Sequence, residues 1–88
     1  MLLNVTAAQY EGDYRILLTF NNGKTRLVDL EKTIFNDYRQ VFELLREQSY
    51  FAGFKIEFNT ITWPNEADFA PEFLFELGTQ FIDKELTT

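Results

Sequence analysis

Apolar and polar residues alternate with a period of two along Tyr14–Phe20. Ile16, Leu18 and Phe20 fall on one side, which predicts a strand with one face in a core. Leu17 falls on the other side, so that face is expected to be partly covered too. Residues 2–9 predict an earlier strand with Leu3, Val5 and Ala7 on one face, and Glu11-Gly12-Asp13 the turn between the two. Asn21-Asn22-Gly23 is a strong hairpin signal, because Asn and Gly take positive φ at little cost. Residues 24–28 are then the return strand, and an antiparallel three-stranded meander results.

The period changes after Asp29. Asp29-Leu30-Glu31-Lys32-Thr33 reads as a capped helical turn that ends at Phe35-Asn36. Tyr38–Gln48 predicts the main helix, since Tyr38, Val41, Phe42, Leu44 and Leu45 form a stripe at helical spacing. Asp37 and Gln40 stand where a capping box needs them. Residues 54–58 return to alternation, with Phe54, Ile56 and Phe58 expected inward. Asn59-Thr60 is the expected turn, and Ile61-Thr62-Trp63 the partner strand, which Pro64 ends by removing a ladder donor. Asp68 is placed to cap a second helix with Pro71 in its first turn and Glu72 near the positive end of its dipole. Phe69, Phe73, Leu74 and Leu77 are its expected buried face and Gly78 its stop. The pattern therefore predicts an α+β fold: a small antiparallel sheet and a second hairpin packed with two short helices. Residues 1–78 form a single domain, and residues 79–88 a polar tail.

Composition makes this small core feasible. The 88 residues include ten Phe, four Tyr and one Trp, and each large aromatic removes about 150–250 Å² from water when buried. There is no Cys and no His, which excludes disulfides, thiolate metal sites and Ser–His or Cys–His catalysis. Absence of Cys fits a reducing compartment. The N-terminus lacks a basic segment followed by a long apolar one, and no run approaches the roughly 20 apolar residues of a spanning helix. A cytoplasmic location is the expectation. The net charge of -6 is uneven: residues 1–48 hold six basic and seven acidic groups, residues 49–88 two basic and seven acidic. An acidic half repels phosphate backbones, so direct nucleic-acid binding is disfavoured, and a basic protein partner would suit it better.

The run Thr19–Leu30, TFNNGKTRLVDL, followed by the amphipathic Phe42–Leu45, Ile61-x-Trp63-Pro64-Asn65 and Ala67-Asp68-Phe69-Ala70-Pro71-Glu72-Phe73-Leu74, resembles the family of small bacterial proteins called domain of unknown function 2442. The likeness spans Leu3 to Leu77, and its Trp-Pro-Asn…Asp…Pro-Glu…Leu part is the most specific. It implies an α+β fold but supplies no catalytic residues. It also implies a regulatory or antitoxin-like role beside another small protein. Family members often carry Gly where this chain has Glu66. If that position takes positive φ, Glu66 is strained by on the order of 1 kcal/mol.

Carboxylates carry the remaining candidate chemistry. Asp29 and Asp68 read first as helix caps, and Glu72 as a partner of a helix dipole. The alternative is that Asp29, Asp68 and Glu72 meet around a hard cation or small ligand, as a metal-binding or acid/base site. Trp63 and Asn65 belong to a Trp-Pro-Asn segment that could serve as a recognition loop, although Trp63 also continues the inward alternation of Ile61. No cofactor is implied. The leading expectation is a non-enzymatic protein-interaction or structural module. A homodimer through the edge of residues 2–9 is a further expectation.

Overall fold

The computed structural model describes residues 2–80. Three long strands form the expected meander: β1 (Val5–Gly12), β2 (Arg15–Phe20) and β3 (Thr25–Asp29), all antiparallel. Ile16, Leu18 and Phe20 are buried as their alternation requires, and Leu17 is half-buried opposite Leu27. The β2–β3 connection is a β-turn closed by the Gly23 N–H on the Phe20 carbonyl at 2.9 Å, with Gly23 at φ +83°. Glycine at the left-handed position lets the strands leave the turn in register.

β1 runs three residues later than its apolar pattern suggests, and its inward face is different. A register shift between Val5 and Ala7 interrupts the period of two. Val5 is buried, but beyond the shift Ala8 and Tyr10 turn towards the core and Ala7 is exposed. One extra residue in a ladder reverses every side chain after it. At the other end Asp13 and Tyr14 both have positive φ, +53° and +66°. The turn between β1 and β2 is thus Asp13-Tyr14, and the Tyr14 ring enters the core instead of the solvent. Its hydroxyl donates to the Arg46 carbonyl, and burial raises its pKa above the ordinary tyrosine value.

After β3 comes α1 (Glu31–Phe35), where the Asp29 carboxylate accepts the Glu31 N–H at 3.0 Å. Asp29 caps the chain as expected, one residue ahead of the helix-flanking Leu30. The continuous helix expected over Tyr38–Gln48 does not form. Its place is taken by two 3₁₀ turns, Gln40–Phe42 and Leu44–Arg46, and by the short α2 (Gln48–Phe51). Asp37 gives the reason. Its carboxylate accepts the Arg39 N–H at 3.0 Å and clamps the Arg39 guanidinium at 2.7 Å, which holds Arg39 extended at ψ 138°. The capping box with Gln40 is therefore not made. Phe42 and Leu45 still point inward, three residues apart, while Tyr38 is 91% exposed and Leu44 also faces solvent.

The second hairpin is β4 (Lys55–Glu57) and β5 (Thr60–Thr62). Its turn is Phe58-Asn59, at φ +55° and +71°, and not Asn59-Thr60. The one-residue difference puts Phe58 at the tip, 87% exposed, and leaves β4 on the outside with Ile56 partly exposed. All three residues of β5 are buried. Thr60 donates its hydroxyl to the Phe69 carbonyl, and the Val5 N–H reaches the Asn59 carbonyl at 2.9 Å.

α3 (Pro71–Leu77) begins with Pro71 at its first position, where no N–H is needed. Ala70, not Asp68, is the residue preceding it, and no side chain caps it. Leu74 is fully buried, Phe69 nearly so, and Phe75 packs edge-on against Phe20; Phe73 and Leu77 remain partly exposed. Gly78 ends α3 with its N–H on the Leu74 carbonyl. The two-residue β6 (Thr79–Gln80) then pairs with β3, so the main sheet runs β1-β2-β3-β6. The tail expected from residue 79 thus contributes Thr79 and Gln80 to the sheet; residues 81–88 lie outside the described residues.

The core is strongly aromatic. Phe51 sits at its centre, with the Tyr10, Tyr14 and Trp63 rings 5.7, 5.2 and 5.4 Å away. Among the described residues, no helix is long and apolar enough to cross a membrane.

Candidate functional site

The segment Trp63–Asp68 joins β5 to the approach of α3, and its two ends are fixed differently. Trp63 is buried, and its indole N–H donates to the Phe51 carbonyl at 2.8 Å. It is a core residue, not an exposed anchor. Asn65 is a staple: its side-chain amide donates to the Val41 carbonyl at 2.8 Å, its carboxamide oxygen accepts the Ala67 N–H at 3.1 Å, and its own N–H meets the Tyr50 hydroxyl at 3.0 Å. These bonds tie the loop to the 3₁₀ segment. A backbone bridge between Thr62 and Asp68 closes the loop behind them.

With both ends held, Glu66 is forced to φ +72°. The left-handed region costs an L-residue about 1–2 kcal/mol. Glycine loses roughly 0.5–1 kcal/mol more entropy on folding. Glu66→Gly is therefore expected to stabilise the protein by up to about 1 kcal/mol, read as a higher urea midpoint with unchanged slope. A lower midpoint would show that the Glu66 side chain makes a stabilising contact that outweighs its backbone strain.

Two open clefts flank this loop and share Glu66 and Asp68. The larger, ≈ 520 Å³, has a floor of Phe42, Phe69 and Phe73 and a rim that includes Asp37, Glu66 and Asp68. Phe42 and Phe69 are nearly parallel, 5.3 Å apart at 15°, and Phe69 and Phe73 likewise at 5.8 Å and 16°. The Arg39 guanidinium lies over the Phe42 ring at 4.9 Å. Hydrogen bonds from the Arg39 side chain and backbone hold the Asp37 carboxyl below its ordinary pKa. The same ion pair raises that of Arg39. The second cleft, ≈ 470 Å³, lies between the β4–β5 hairpin and the loop, lined by Glu57, Phe58, Pro64, Glu66 and Asp68 among others.

The carboxylates proposed from sequence do not converge. Asp68 lines the two clefts just described, Asp29 lines a separate one with Arg15, Lys32 and Leu77, and Glu72 is exposed in the first turn of α3. Among the described residues, no three Asp or Glu side chains stand close enough together to hold a metal ion. Sequence reasoning missed Phe42, Phe69 and Phe73 as a single stack, and missed Glu57 and Phe58 as neighbours of the loop. The periodicity assigned these rings to cores of separate elements. Of these rings only Phe58 and Phe73 reach the surface; Phe42 and Phe69 stay buried.

No match was found among curated proteins, and none among solved structures. A family model described as "Protein of unknown function (DUF2442)" matches residues 5–80, nearly the full length of the chain. This chain belongs to that family.

Proposed function

We propose that the protein is a non-catalytic interaction module that binds a basic partner through the face around Glu66 and Asp68. The observation that carries this reading is the charge of the two clefts. Among the described residues they hold Asp37, Glu57, Glu66 and Asp68 against a single cation, Arg39, which is already paired with Asp37. Unopposed carboxylates beside exposed aromatic rings favour a cationic surface and disfavour an acidic one. The chain's net charge of -6 acts in the same direction at longer range. One form of this role is an antitoxin-like or regulatory subunit that sequesters a second small protein.

The test is calorimetric titration with three peptides of equal length, one basic, one neutral and one acidic. Only the basic peptide is expected to bind. Its affinity falls as salt is added, because the screening length shrinks from about 10 Å at 0.1 M to about 3 Å at 1 M. The triple variant Glu57→Gln, Glu66→Gln, Asp68→Asn should bind it markedly less well. Equal binding of all three peptides, or none at all, sinks the proposal. Co-expression with the product of the adjacent gene, followed by pull-down, would then identify the natural partner.

A further inference from the structure

Resting on the basic-partner reading, we infer that the larger cleft recognises an arginine side chain, stacked on the exposed end of the Phe42–Phe69–Phe73 run. The run already contains one example of the contact. At one end the chain's own Arg39 places its guanidinium over Phe42, with Asp37 holding the charge. At the other end Phe73 meets only Phe69, and no other ring or cation reaches it among the described residues. Phe73 is 41% exposed and lines the cleft beside Glu66 and Asp68.

Phe73 thus offers a partly exposed ring without a cation, in a cleft that also holds the Glu66 and Asp68 carboxylates. A ring face attracts a cation electrostatically, and a carboxylate nearby adds a charged acceptor. Arginine meets both needs better than lysine. Its guanidinium is planar, so it stacks on the ring, and its N–H fork can still reach a carboxylate in the same plane. Lysine is a strongly hydrated point charge that gains the second interaction and little of the first. The partner group is therefore a guanidinium, and recognition is shared between Phe73 for the plane and Glu66 and Asp68 for the charge.

The experiment compares two peptides of equal length and charge, one carrying arginines in a Gly-Ser background and one carrying lysines. The intact protein is expected to prefer the arginine peptide by about three- to tenfold. Phe73→Leu keeps an apolar side chain on α3 and should lower arginine-peptide affinity more than lysine-peptide affinity, which abolishes the preference. Phe73→Tyr keeps the ring and should retain the preference. Thermal melts confirm that the variants are folded. Should Phe73→Leu fail to fold, the ring-proton shifts of Phe73 in the unmodified protein serve instead, and they must move with the arginine peptide more than with the lysine one. Equal affinity for the two peptides overturns the arginine assignment and leaves the basic-partner reading standing. A preference that survives Phe73→Leu overturns the position. Binding of neither peptide overturns both readings.

Discussion

Phe51→Ala is expected to remove a large part of the protein's stability and shift its unfolding midpoint sharply downward. Truncating a buried Phe to Ala costs about 3–5 kcal/mol, and a small domain has only about 5–15 kcal/mol of stability, with short chains near the low end. Phe51 lies at the upper end of that cost because its ring is fully buried among Tyr10, Tyr14 and Trp63. The lining cannot collapse into the space, since Trp63 is tethered to the Phe51 carbonyl and Tyr14 to the Arg46 carbonyl. Urea unfolding followed by the fluorescence of the single Trp would measure the loss. Phe51→Leu refills most of the volume and should cost less than half as much. A midpoint for Phe51→Ala close to that of the unchanged protein would mean that the ring is not central to the core.

Gly78→Ala is expected to destabilise by about 1–3 kcal/mol, the usual range for an extra methyl in a packed site. Gly78 has φ -73°, so its role is closeness and not backbone freedom. A Cβ there would stand 2.7 Å from the Arg26 Cβ and 2.9 Å from a Val28 methyl. The first of these atoms is fixed to the backbone of β3 and cannot swing away. The added methyl must push the end of α3 off β3, and β6 follows directly. Chemical denaturation would give the cost, and amide exchange at Leu27 and Thr79, paired across β3 and β6, should accelerate more than exchange in β1. Unchanged exchange at Thr79 would show that β6 tolerates the displacement.

The parts of the fold legible in sequence are those whose signal is local. The β2–β3 hairpin carries its own turn residues and its own alternation, and it forms as read. Pro71 marks the start of α3 for a reason that needs no tertiary knowledge, whereas Gly78 ends it as read but for a tertiary reason, its closeness to β3. Errors arise where one side chain overrides a pattern. The Asp37 carboxylate turns a helical stripe into 3₁₀ turns by taking the Arg39 N–H. The register shift after Val5 reverses the face of β1. Phe58 is the plainest case, since an aromatic residue at positive φ is locally disfavoured, and alternation placed it in the core. The candidate site was illegible for a related reason. Asp68 reads from sequence as a cap, or as a cation or ligand group with Asp29 and Glu72, and the rings that share its cleft come from segments some thirty residues apart. Nothing short of the packed fold brings Phe42 next to Phe69.

The three hairpin turns differ in what holds them, and the difference sets an order of events. Asn21-Asn22-Gly23 has the residues its geometry demands, so the β2–β3 hairpin can close early, before the rest of the chain has assembled. Asp13-Tyr14 and Phe58-Asn59 place non-glycine residues at positive φ, and only the first has a glycine, Gly12 at +89°, beside it. Their closure is uphill until Tyr14 finds Phe51 and the Asn59 carbonyl finds Val5. Folding is therefore expected to start at β2–β3, with the β1–β2 and β4–β5 turns closing later. The β4–β5 tip, which carries Phe58 at the proposed partner face, is thus held by contacts made elsewhere in the fold and not by its own turn residues.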